Sequence, residues 1–228
     1  MPIFSILPRA LACLGLLAAA PVFATAAGPG ARADSFDTAL LDTMKSARSL
    51  GPQGRYDRLV PVMKEDFDFT GMTRDIAGMQ WSRLAPEQQS RLVTAFSRFE
   101  TAMFADWFDS YAGQSFQVKD VVIRNDDVAT VGVALSGAGP VLRLEYVLRV
   151  DSAGGWHIVD VRYEGWMSVV ERRREEFAEI MSRYGFEELM ARLEAKGHEL
   201  VDHADNAASP HLQRPIRDLW DRPLMPIQ

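Results

Sequence analysis

The chain has 228 residues, of which 47% are hydrophobic and 10% aromatic, enough for one domain with a substantial core. Its formal net charge is −6, which argues against a nucleic-acid-binding protein, where a clustered basic surface is expected. A single cysteine, Cys13, excludes a disulfide-stapled scaffold.

Residues 1–26 differ in kind from the rest. Arg9, the apolar run Ala10 to Ala20, and the small residues Ala24, Thr25 and Ala26 form the pattern of a secretory signal peptide, cleaved after Ala24 or Ala26. Pro21 interrupts the run, so a membrane anchor of about 20 apolar residues fits less well. Arg9 also leaves little apolar sequence before Cys13, which disfavours lipid attachment there. Cleavage would leave a cysteine-free mature chain, suited to a bacterial periplasm.

Residues 27–33 are small and read as a linker, and a globular unit is expected over 34–196. Asp34 or Ser35 can cap a helix running to about Ser49, with Phe36, Leu40, Leu41 and Met44 on one side. After a break at Gly51-Pro52-Gln53-Gly54, a second helix is expected over Tyr56 to Glu65, and a short third one over Thr70 to Ala77. Asp66 and Asp68 precede it, and capping explains them better than a catalytic carboxylate pair does.

The longest periodic stretch is Pro86 to Gly113, predicted as one helix. Leu92, Phe96, Phe99, Met103, Trp107 and Tyr111 recur beside Val93, Phe104 and Phe108. Such a helix of about 25 residues would be about 38 Å long, with a broad aromatic stripe to cover.

The period then changes to two. Phe116 to Ile123, Ala129 to Leu135, Val141 to Val150 and Trp156 to Tyr163 read as four strands joined by short turns, hence an antiparallel meander. Leu142, Leu144, Tyr146 and Leu148 alternate with Arg143, Glu145 and Arg149, so one face is apolar and the other wet. Asp160 and Arg162 fall on the wet face with Arg143 and Glu145, as cross-strand neighbours. Helices follow over Met167 to Tyr184 and Phe186 to Lys196, and the proline-rich tail 197–228 reads as largely disordered. The fold class expected is α+β, with helices on one face of a four-stranded meander.

No phosphate-binding glycine loop, paired CxxC or GxSxG elbow occurs. In GHELVDHAD, residues 197–205, His198, Asp202, His203 and Asp205 read as solvated polar residues, so no metal and no cofactor is expected. No catalytic residues are assigned, and the chain is not expected to be an enzyme.

The succession Trp81, Pro86-Glu87-Gln88, Phe96, Phe99, Tyr111, Gly113, Phe116, Trp156, Asp160, Gly165, Arg174, Phe177, Ile180, Gly185, Phe186 and Leu189 resembles the MlaC, or toluene-tolerance (Ttg2-type), family of periplasmic lipid carriers. The resemblance covers roughly residues 36–196, and FDSYAGQSF at 108–116 is most similar to the branch encoded with hopanoid biosynthesis, HpnM. It implies an MlaC-like (NTF2-like) fold enclosing an apolar cavity and a cargo of phospholipid or hopanoid. It also implies traffic between an inner-membrane ABC-type permease complex and an outer-membrane complex. The tail beyond Gly197 departs from the family pattern.

By period and alternation, the expected lipid lining is Phe96, Phe99, Met103, Phe104 and Phe108 from the long helix. The sheet would add Val133, Leu144, Tyr146, Leu148, Val159, Val161 and Tyr163, with Trp166, Val170 and Phe177 closing one end. Of the basic run Arg172-Arg173-Arg174, consecutive residues fan out around a helix, so a solvated face paired with Glu171, Glu175 and Glu176 is expected. Arg174 matches the family's arginine and is the candidate for a headgroup or partner contact. Two alternatives stay open: an enzyme acting on an isoprenoid lipid, for which Asp160 and Glu164 would be the titrating groups, and an interaction module with a filled core.

Overall fold

The computed structural model describes residues 27–137, 140–202 and 224. Among the described residues, six helices and a five-stranded antiparallel sheet follow in three blocks: α1 (Pro29–Lys45), α2 (Ala47–Asp66), α3 (Phe69–Ala77), a 3-10 turn (Gly78–Arg83) and α4 (Pro86–Trp107), then β1 (Ser115–Asn125), β2 (Val128–Ser136), β3 (Leu142–Val150), β4 (Trp156–Tyr163) and β5 (Met167–Ser168), then α5 (Val169–Tyr184) and α6 (Phe186–Asp202). The strand order is β1-β2-β3-β4-β5, a meander with every neighbour adjacent in sequence. The expected α+β class and the four main strands are present; β5 is an added two-residue strand.

The alternation in β2, β3 and β4 sets the packing. Val133 pairs with Leu144, which pairs with Tyr163, and Val131 pairs with Tyr146, which pairs with Val161. These residues share one buried face, and α1, α4 and their neighbours close over it in a single hydrophobic cluster.

Several boundaries differ from expectation, each for a local reason. The segment 27–33 is not a linker, because α1 already begins at Pro29 and Ala33 is fully buried. Its small residues report close approach: a Cβ on Gly30 would stand 3.0 Å from Val121 Cγ2 on β1. The second helix starts at Ala47, earlier than expected, and bends at Gly51, whose φ of 63° lies in the left-handed region.

Helix α4 stops at Trp107, short of Gly113, and Tyr111 is exposed, so the apolar stripe ends where the helix does. At the other end of the chain, α6 runs on to Asp202 because the buried period of Leu189 and Leu193 resumes at Leu200. Of the tail expected to be disordered, Gly197 to Asp202 is thus helical and Leu224 is buried, while 203–223 and 225–228 lie outside the described residues. The signal-peptide segment 1–26 lies outside them too.

Candidate functional site

Of the expected lining residues, all are buried except Trp166, which is 66% exposed. Glu164 and Gly165 both take positive φ in the turn after β4, and that turn carries Trp166 outward. It closes nothing.

The remaining side chains are pressed together. Phe177 meets Phe96, Phe96 meets Phe69, Phe69 stacks on Phe67, Phe67 meets Phe104, Phe104 stacks on Phe108, and Phe108 meets Phe116, with ring centroids 5.5 to 6.0 Å apart at each step. Phe36 joins this run from α1, 5.0 Å from Phe67 and 5.8 Å from Tyr146. Along this run the expected lining side chains touch one another.

The aromatic run reaches the surface at one cleft, of about 460 Å³, between α2 and α4. Buried Phe67 and Phe69 line it with Val60 and Val93, and Tyr56, Lys64, Arg98, Asp68, Ser97 and the threonines 70, 94 and 101 complete the lining. Lys64 and Arg98 are exposed, so an apolar floor lies beneath two cations. That order suits an anionic amphiphile. A second cleft, of about 600 Å³, lies between α3 and α5, where Arg74 and Arg174 flank Ile76, Ala77, Gly78 and Met79. Arg174 donates from Nε to the carbonyl of Asp75 at 2.9 Å, so it stands at a surface cleft away from the aromatic run.

Of the polar groups buried among the described residues, three bear on the expected site. Arg173, 1% exposed, donates to Glu100 at 3.0 Å and to Glu176 at 2.7 Å, with its guanidinium 4.7 Å over the Phe99 ring. The solvated face expected for this arginine is therefore wrong. Burial pushes the Glu100 carboxyl above its usual range and Arg173 pulls it back.

Asp160 keeps its expected neighbour Arg162, whose Nε donates to Oδ2 at 3.4 Å, but it is buried. It accepts from the Ser168 hydroxyl at 2.7 Å and from the backbone N–H of Val170 at 3.1 Å, and so fixes the start of α5. Arg162 does pair with Glu145 across the strands, at 2.9 Å, as expected. Glu164 accepts from the Arg143 backbone N–H at 3.0 Å, so both carboxylates considered for catalysis are held by structural contacts. The third polar group is Asp37, whose Oδ1 accepts from the Tyr146 hydroxyl at 2.6 Å.

Sequence reasoning missed Glu100 and Asp37, although a signal was present. Glu100 sits between Phe99 and Met103 on the stripe itself, and Asp37 is flanked by Phe36 and Leu40. An acid inside an apolar stripe asks for a buried partner. Among the described residues, no group of three or more His, Cys, Asp or Glu is placed to hold a metal ion, and His203 and Asp205 lie outside them.

Residues 34–195 match the protein family described as MlaC protein. The chain belongs to the MlaC family. A solved structure of a phospholipid-binding protein from Ralstonia solanacearum, in complex with a phospholipid, superposes with a TM-score of 0.68 at 22% identity, covering 76% of this chain and 99% of that one. The likeness establishes a shared fold for this MlaC protein. No curated protein matches it.

Proposed function

We propose that this MlaC protein is a periplasmic lipid carrier, binding a phospholipid or a hopanoid-type lipid and shuttling it between an inner-membrane ABC-type complex and the outer membrane. The observation that carries the reading is the junction of the aromatic run with the α2–α4 cleft: a continuous apolar interior reaches the surface at Phe67 and Phe69, beneath Lys64 and Arg98. Family membership and the phospholipid held by the Ralstonia protein support it. So does the export pattern of residues 1–26.

The energetics suit a carrier. An acyl chain of about 16 carbons gains about 13 kcal/mol on leaving water, at about 0.8 kcal/mol per methylene. Packed rings that part to admit it would meet it with non-directional contacts, which allow release. That Asp160 and Glu164 are engaged in holding the fold supports binding over catalysis.

The test is native mass spectrometry of the exported protein purified from a bacterial periplasm, with organic extraction and identification of any bound lipid. A stoichiometric lipid is the expected result, and its class chooses between phospholipid and hopanoid. A protein that stays lipid-free after incubation with both classes would refute the carrier reading.

A further inference from the structure

A sheath for plain hydrocarbon has no use for Asp37. The residue is 3% exposed, on the face of α1 that buries Ala33, Phe36 and Leu40, and its Oδ1 accepts from the Tyr146 hydroxyl at 2.6 Å. Its other oxygen, Oδ2, is buried and has no hydrogen-bond partner among the described residues. Phe36, packed against Phe67, Phe104 and Tyr146, ties the pair to the aromatic run. Other buried acids are differently placed: Glu100 has Arg173, Asp66 has Arg32 at 2.7 Å, and both oxygens of Asp160 are engaged.

An unmatched buried acceptor is costly and uncommon in a native interior, so its retention points to a partner that arrives with a ligand. We propose that Asp37 and Tyr146 form a polar anchor inside the lipid site, which receives the hydroxyl group of a hydroxylated lipid at Asp37 Oδ2. The assignment rests on the carrier reading above and narrows its cargo.

The choice of hydroxyl follows from what the pair can bind. A phosphate or carboxylate would meet a second acid, and Asp34, one turn earlier on α1, adds its negative field. An ammonium group would require the ionised carboxylate and would lose its own hydration. A hydroxyl both donates and accepts, so it can satisfy Oδ2 whether Asp37 is ionised or protonated. Burial raises the Asp37 pKa to about 7, against the Tyr146 hydrogen bond that lowers it, so both forms are populated near neutrality. An unsubstituted acyl chain leaves Oδ2 unmatched.

The experiment is displacement of a fluorescent fatty-acid probe from the exported protein by 1-hexadecanol and by its methyl ether, with phosphatidylglycerol as a third competitor. The alcohol and the ether share a chain, but only the alcohol has a hydrogen to donate. The alcohol should bind about tenfold or more tighter than the ether. Asp37→Leu should erase that ratio. In the unaltered protein, the carbon-13 resonance of the Asp37 carboxyl should move with the alcohol and not with the ether, a readout that needs no variant to fold.

Equal affinities for alcohol and ether, a ratio that survives Asp37→Leu, or a carboxyl resonance indifferent to the alcohol would each overturn the anchor. If phosphatidylglycerol binds in that case, the carrier reading stands without it. If alcohol, ether and phosphatidylglycerol all fail to bind, both inferences fall together.

Discussion

Arg173 is the residue whose environment departs most from what its neighbours suggest. It lies in a run of three arginines, yet it is enclosed by Phe99, Glu100 and Glu176. Removing one partner of a buried ion pair leaves an uncompensated charge, so Arg173→Ala should cost about 3–5 kcal/mol in urea unfolding. The double variant Arg173→Met with Glu100→Leu should recover most of that loss, because it removes the fully buried charge of Glu100 and leaves Glu176 beside Arg172 at 3.6 Å. If the double variant is no better than the single one, the loss lies in packing. Asp37 gives a second residue-scale prediction with a defined sign. Its pKa is raised from 3.8 to about 7, so the folded chain keeps a proton that the unfolded chain releases. The stability held by that proton is full below about pH 3.8 and is lost as pH rises through about 7. Between about pH 5 and about pH 8, the unaltered protein should therefore lose on the order of 2–3 kcal/mol more than Asp37→Asn does. Parallel stability curves for the two proteins would show that Asp37 is not the group responsible.

At the scale of elements, the caps make separable predictions. Asp68 begins α3 by accepting from the Gly71 N–H at 2.8 Å, and a Cβ on Gly71 would come within 2.2 Å of that carboxylate. Asp68→Ala should cost about 0.5–2 kcal/mol. Gly71→Ala should cost about as much, by evicting the same carboxylate, and the two losses should not add; full additivity in a double-variant cycle would refute the shared cause. The sequence made these elements legible where one periodicity dominated. The strict alternation of Leu142, Leu144, Tyr146 and Leu148 gave β3 to within a residue, and the same rule placed the meander. It was less informative where smallness had two meanings. Gly30 and Ala33 read as flexibility, but they are small because α1 lies against β1 and the core. Asp160 stands beside Arg162 on the face that alternation assigns it, but face parity does not say what covers a face, so its burial against Ser168 and the start of α5 was not legible. The candidate lining was legible as buried apolar surface, but periodicity alone cannot distinguish a wall from a filling.

For the molecule as a whole, the arrangement to be tested is an apolar interior beneath two cations. Reversing both charges, with Lys64→Glu and Arg98→Glu, should weaken phosphatidylglycerol binding about tenfold while affecting the zwitterionic phosphatidylethanolamine much less, in competition against the same fluorescent probe. Equal losses for the two lipids would move the headgroup elsewhere, with Arg74 and Arg174 the next pair to reverse. The two edges of the sheet are unlike. The β4 edge is occupied by β5 and by Phe67, which bridges to Ile158, whereas β1 ends the sheet and exposes Val121, Val122 and Ile123 in succession. Three consecutive β-formers on an open edge make a template for strand addition and aggregation. Lys119 and Asp120 on one side and Arg124 on the other act as gatekeepers, and the register shift between Val118 and Asp120 distorts the same edge. A chain with Lys119, Asp120 and Arg124 all replaced by threonine should therefore fold, yet form thioflavin-positive fibrils at concentrations where the parent stays clear. The charges beside the apolar triplet would then be working as solubility devices, set where no further strand among the described residues joins the sheet.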